Sequence, residues 1–176
     1  MTLEDLLMPG RNCGECTACC TVLRIEQPEL QKKADVPCPN LSAVGGCAIY
    51  NDRPGVCRTW YCGWRIMPFL NDDMRPDRAK VLIKTDGSKF TFQPTEQNGA
   101  ANLLEMKVMN ALATIASNNL KVELSVPTKP GFTNALAPVN DALKPSLATM
   151  DFEKGVEAIK KVIFFASRSL TLKERD

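Results

Sequence analysis

Histidine is missing altogether from the 176 residues, and that one absence removes several kinds of chemistry. A Ser-His-Asp triad, a Cys-His nucleophile pair, an HExxH zinc site and a Cys2His2 finger each need an imidazole. Any metal must therefore be held by sulfur, with carboxylate as a further ligand. No Gly-rich nucleotide loop, P-loop or catalytic dyad is present either. An excess of one charge is also lacking, since 22 Lys and Arg face 20 Asp and Glu for a net +2. That balance predicts neither a nucleic-acid nor a membrane partner. Nowhere do about 18 apolar residues run uninterrupted, which argues against a membrane span. The first eight residues carry Glu4 and Asp5 where a secretory signal would carry basic residues. The expectation is a cytoplasmic protein in a reducing compartment, where cysteines serve as metal ligands in preference to disulfides.

Against these absences stands a concentration of cysteine. Cys13-Gly14-Glu15-Cys16-Thr17-Ala18-Cys19-Cys20 places four thiols within eight residues, and Cys38, Cys47, Cys57 and Cys62 complete the eight in the chain. A small buried hydrophobe explains one or two such residues, not four in eight. Thiolates select zinc, iron–sulfur clusters or Cu(I), and eight suffice for two four-coordinate zinc sites. Cys13, Cys16 and Cys19 form overlapping CxxC units, and with Cys38-Pro39 as a displaced Cys-Pro they also suggest the C-x2-C-x2-C-x3-C-P run of ferredoxins. Adjacent side chains point apart, so Cys19 and Cys20 serve two sites more easily than one. That favours two metals, or a cluster plus a second site.

The surroundings fit ligand loops. Pro37 and Pro39 fix the backbone on both sides of Cys38, and Gly14, Gly46, Gly55 and Gly63 give the chain freedom beside the other thiols. Arg53, Arg58 and Arg65 are candidate donors to thiolate charge. Tyr50, Trp60, Tyr61 and Trp64, all the Tyr and Trp of the chain, are placed to cover the site.

With 44% hydrophobic and 24% charged residues, the chain should bury an ordinary core. Its length allows one domain, or a cysteine-rich module joined to a second small unit. The pattern predicts an α+β protein: an irregular, metal-organised module over residues 1–79, and a small α/β part over 80–176, packed into the same domain or following it. Residues 66–79, rich in proline and charge, read as the connection. A helix is expected over 2–8, capped by Thr2, and a polar helical turn over 29–33. Alternating apolar residues predict a hairpin over 80–93 turning at Asp86-Gly87, and a strand at 122–126. Helical spacing predicts helices over 100–118, starting at Asn98 or Asn102, over 134–143, and over 151–168.

CxxCxxCC, then Cys38-Pro39, then Gly-x-Cys47-x-Ile49-Tyr50-x-x-Arg53-Pro54-x-x-Cys57-Arg58 resembles the YkgJ-type cysteine-cluster family, described as a zinc- or iron-chelating domain. The resemblance covers residues 11–65. It implies that all eight cysteines are ligands, with zinc as the metal or a 4Fe–4S cluster as the alternative. A flagellin lysine N-methylase carrying this kind of cluster makes protein modification an implication at family level only. Three function classes follow: a metal-binding protein whose second part contacts a protein partner, a redox or protein-modifying enzyme or enzyme component, and a metal chaperone or store. The catalytic residues of such an enzyme are not legible in the sequence.

Overall fold

A computed structural model describes residues 4–174. The chain is an α+β protein, and its organising element is a four-stranded sheet of β3 (Val81–Thr85), β4 (Lys89–Pro94), β5 (Lys121–Val126) and β6 (Ala135–Pro138), in that spatial order. β3 and β4 form the expected antiparallel hairpin around Asp86-Gly87, whose tight turn is tied by the Asp86 carboxylate accepting from the Ser88 and Lys89 amides. β4 and β5 run parallel. Parallel strands need a crossover, supplied here by a 3-10 turn (Gly99–Leu104) and α5 (Met106–Ser117). The register aligns Ile83, Phe92, Leu124 and Ala137 across one face. α5, α6 (Asn140–Thr149) and α7 (Phe152–Ala166) contribute Leu112, Leu143 and Ile159 to the same core. In the next row Thr91 and Lys89 donate to the Glu123 carboxylate at 2.7 and 3.0 Å, so this nearly buried acid is doubly satisfied.

Several expectations are corrected. Residues 135–138 form strand β6, not a helix, because their backbone pairs with β5; the helix begins only at Asn140 and continues through Pro145. Residues 25–32 form a small hairpin, β1 (Ile25–Gln27) and β2 (Leu30–Lys32), where a helical turn is expected at 29–33. α5 begins at Met106, with Glu105 at its N-cap and neither Asn98 nor Asn102 capping it through a side chain. Asp151 caps α7 by accepting from the Lys154 amide at 3.0 Å. The cap expected at Thr2 lies outside the described residues, and Glu4–Leu6 form a single 3-10 turn.

Residues 66–79 are not an exposed connection. They carry a 3-10 turn (Asp72–Met74) and α4 (Pro76–Ala79), and they bury Ile66, Met67, Leu70, Met74 and Ala79. With Tyr61 and Trp64 these residues belong to the hydrophobic cluster that also contains the strands and α5–α7. The physical link is α3 (Gly63–Ile66), all four residues of which are buried. Gly63 lies so close to β3 that a Cβ there would stand 2.7 Å from Ile83 Cγ2, which explains a glycine inside a short helix.

Candidate metal centre

Three segments carry the thiols. Cys13 and Cys16 flank a turn closed by the Cys16 amide donating to the Cys13 carbonyl at 2.9 Å, and Cys19 and Cys20 follow on the short helix α1 (Ala18–Val22). Cys38 and Cys47 lie on the loop after β2. The Cys38 amide donates to the Cys20 carbonyl at 2.9 Å, and an isolated bridge pairs Leu41 with Cys47. Cys57 sits on α2 (Gly55–Thr59), and Cys62 occupies the N-cap position of α3. Gly46 adopts φ +78°, and a Cβ on it would meet the Gly14 carbonyl oxygen at 2.7 Å. Two glycine turns thus lie back to back and bring the Cys13–Cys16 and Cys47 loops together.

All eight cysteines are free thiols and line one cavity of about 290 Å³. Its walls are largely apolar, with Leu23, Ile25, Val56 and Trp60 among them. A second cavity of about 20 Å³, room for one water-sized atom, is lined by Cys13, Cys16, Cys19 and Cys62 together with Trp64, Arg65, Pro76 and Leu82. β3 therefore reaches the thiols through Leu82, the neighbour of core residue Ile83. Among the described residues no three Cys, Asp or Glu side chains are grouped so that they could hold a metal ion. The thiols share a cavity without being drawn into a ligand polyhedron.

Electrostatics sorts them. Burial pushes the Cys62 thiol up to about 11, and Cys13 and Cys16 add to the rise. Cys19 is raised by its hydrogen bond with Cys20, then by burial, then by the charges of Cys20, Cys13 and Cys62. Cys16 is raised by burial, with Asp77 and Cys13 contributing. Burial also raises Cys57, whose next causes are Cys20, Cys38 and Cys47. Thus Cys13, Cys16, Cys19 and Cys62 make one neighbourhood, and Cys20, Cys38, Cys47 and Cys57 another. They meet where the Cys19 and Cys20 sulfurs stand 3.9 Å apart.

The hydrogen bond from Cys19 pulls Cys20 down to about 7, with the nearby Lys32 ammonium helping against burial. Since the thiolate is the nucleophile, metal-free reduced protein treated at pH 7 with less iodoacetamide than its thiols require should be alkylated first at Cys20 and last at Cys19 and Cys62. Peptide mapping by mass spectrometry reads the order, and equal labelling of Cys20 and Cys62 would contradict this electrostatic picture.

Of the three arginines expected to face thiolates, Arg65 does so. It is buried and donates from Nη1 toward Cys13 Sγ at 3.5 Å, with its guanidinium over the Tyr61 ring. Arg53 braces the loop instead, donating to the carbonyls of Tyr50 and Cys57 at 2.7 and 3.1 Å and stacking over Tyr50. Arg58 is exposed. Tyr50, Trp60 and Tyr61 line the larger cavity and Trp64 the smaller.

Two cations escaped the sequence reading. Lys32 is buried, and its ammonium donates to the carbonyls of Thr21, Leu23 and Lys33. Burial lowers its pKa while Cys38 and Cys20 oppose that fall. A period-two reading of Leu30-Gln31-Lys32 would have turned Lys32 inward beside Leu30. Arg11 donates to the carbonyls of Trp64, Met67 and Leu70, stitching the start of the cysteine cluster to α3 and the turn after it. Its position just ahead of Cys13 was the available signal.

Two buried donors, Trp64 Nε1–H and Arg65 Nε–H, have no hydrogen-bond partner among the described residues. Both residues line the small four-cysteine cavity. A buried donor without an acceptor calls for an explanation, and metal-bound thiolates are strong acceptors of this kind of contact. The donor set thus suits a thiophilic metal in chemistry and counter-charge.

No protein-family model, curated protein or solved structure matches the chain. Among the described residues no helix is long and apolar enough to cross a membrane.

Proposed function

We propose that the chain is a metal-binding protein of the YkgJ type that holds metal through two groups of four thiolates, Cys13, Cys16, Cys19 and Cys62 in one and Cys20, Cys38, Cys47 and Cys57 in the other. The observation that carries this reading is the pair of orphaned donors on Trp64 and Arg65 beside the first group. Zinc is the first choice of metal, because it takes four thiolates in a closed structural site. Bound zinc would supply a positive charge and a tetrahedral restraint. The chain's own part is to present the sulfurs, keep water out with Tyr50, Trp60, Tyr61 and Trp64, and offset thiolate charge with Arg65 and Lys32. The compartment that keeps eight thiols reduced is the cytoplasm, and the second part of the chain is the side left to contact a protein partner.

A 4Fe–4S cluster is the second reading, favoured by the cavity of about 290 Å³, which exceeds what single ions need. Metal analysis with an absorption spectrum, on protein purified without oxygen, tests both. About two zinc ions per chain without visible absorption is the expected result. Iron and sulfide near about four each, with a broad visible band, would replace zinc by the cluster. Metal-free protein with all eight thiols titratable would overturn metal binding itself.

A further inference from the structure

We infer that the two thiol groups hold their metal unequally: Cys13, Cys16, Cys19 and Cys62 retain it, whereas Cys20, Cys38, Cys47 and Cys57 exchange it with outside thiol or chelating ligands, and this exchange orders and releases residues 33–60. The inference rests on the metal-binding reading. It starts from where each group is attached. Cys62 leads into α3, whose four residues are all buried, and the Gly63 contact with Ile83 fixes that helix on the sheet. Arg11 ties the chain just before Cys13 to three carbonyls of the same region. Pro76 and Leu82, from the helix before β3 and from β3 itself, wall the small cavity beside these thiols. To open the first group is to disturb the common core.

The second group has no such foundation. Of residues 33–60, which carry Cys38, Cys47 and Cys57, Gly46 alone is buried. α2, the helix of Cys57, buries none of its residues. Most of the segment's backbone bonds are internal, as between Ala48 and Asn40 or Ser42 and Gly46; the Cys38 amide on the Cys20 carbonyl is a link outward. Segments with little buried apolar surface open locally at small free-energy cost, and a ligand that binds only the closed form supplies the missing stability. The cavity of about 290 Å³ between these thiols and the apolar wall admits an incoming ligand. In the exchange the metal passes from four thiolates to the incoming donor atoms. The released sulfurs take up protons from solvent, and no electron moves.

The test uses the full chain loaded anaerobically with zinc, its content measured first. A chromogenic chelator, 4-(2-pyridylazo)resorcinol, is then added. Zinc should leave in two phases of about one equivalent each, separated at least about tenfold in rate, the factor that a difference of about 1.4 kcal/mol provides. Hydrogen exchange by mass spectrometry after the fast phase should rise within 33–60 and stay low at 62–66. Cys57→Ser should abolish the fast phase alone, and Cys62→Ser the slow one. Release of both equivalents in one phase, or exchange rising first around α3, overturns the inference while leaving metal binding intact. Failure to take up any zinc overturns both. Should Cys62→Ser not fold, the wild-type phases and their exchange pattern still decide.

Discussion

Phe92→Ala should cost the folded protein about 3–5 kcal/mol, a large share of the about 5–15 kcal/mol that holds a domain together. Phe92 is fully buried on β4, one of the two inner strands, and lies between Ile83 and Leu124 in the apolar row that crosses the sheet. Truncation there removes the contacts of a whole ring, and flanking β-strands held in register by main-chain bonds cannot collapse into the space. Urea unfolding at fixed metal content measures the loss. The choice of probe adds information. Both tryptophans, Trp60 and Trp64, lie in the cysteine-rich half, whereas far-UV circular dichroism reports chiefly the sheet and the long helices. Because Trp64 belongs to the same hydrophobic cluster as Phe92, the fluorescence and dichroism midpoints should fall together by the same amount. A fluorescence transition left in place while the dichroism transition shifts would show that the halves unfold separately. A loss below about 1 kcal/mol would show that the apolar row is not the centre of the core.

The second half of the chain was legible for a simple reason: its elements follow one period each. Val81 and Ile83, Phe90 and Phe92, and Val122, Leu124 and Val126 alternate, and the structure makes strands of all three runs. Val108, Leu112 and Ile115, then Val156, Ile159 and Ile163, recur at helical spacing and lie on helices. The errors come where the local signal is short or ambiguous. Ala135–Pro138 is a four-residue edge strand, and its alanines carry no β preference; only pairing with β5 decides it. Pro145 reads as a stop but lies within α6. Residues 66–79 were misjudged because proline and charge mask Met67, Leu70 and Met74, which the core buries. At the site, spacing identified the eight cysteines as a set, and the structure gathers all eight around one cavity. Their division was beyond a one-dimensional reading, because it depends on Cys62, the last thiol in the chain, standing near Cys13, the first.

Arg65→Leu should act in opposite directions on the metal-free and the metal-loaded protein. In the metal-free chain Arg65 is a buried cation with one donor unsatisfied and a long contact to Cys13 Sγ. Replacing such a charge by an apolar side chain of sufficient size is commonly neutral or stabilising, so unfolding of the metal-free variant should change by no more than about 1 kcal/mol, or improve. Once four thiolates beside it bind a divalent ion, the group carries net negative charge, and the guanidinium becomes its nearest permanent counter-charge and donor. Loss of that partner should weaken metal binding by the first thiol group about 10–100-fold. Arg65→Lys should recover part of the affinity through its charge, but not all, because an ammonium cannot reproduce the planar fork above Tyr61. Competition against a chelator of known affinity gives the first quantity, and urea unfolding after metal removal gives the second. A variant that binds metal as tightly as the parent would show that Arg65 does not serve the thiolates. One that loses more than about 2 kcal/mol when metal-free would make Arg65 a packing residue whose place beside Cys13 is incidental.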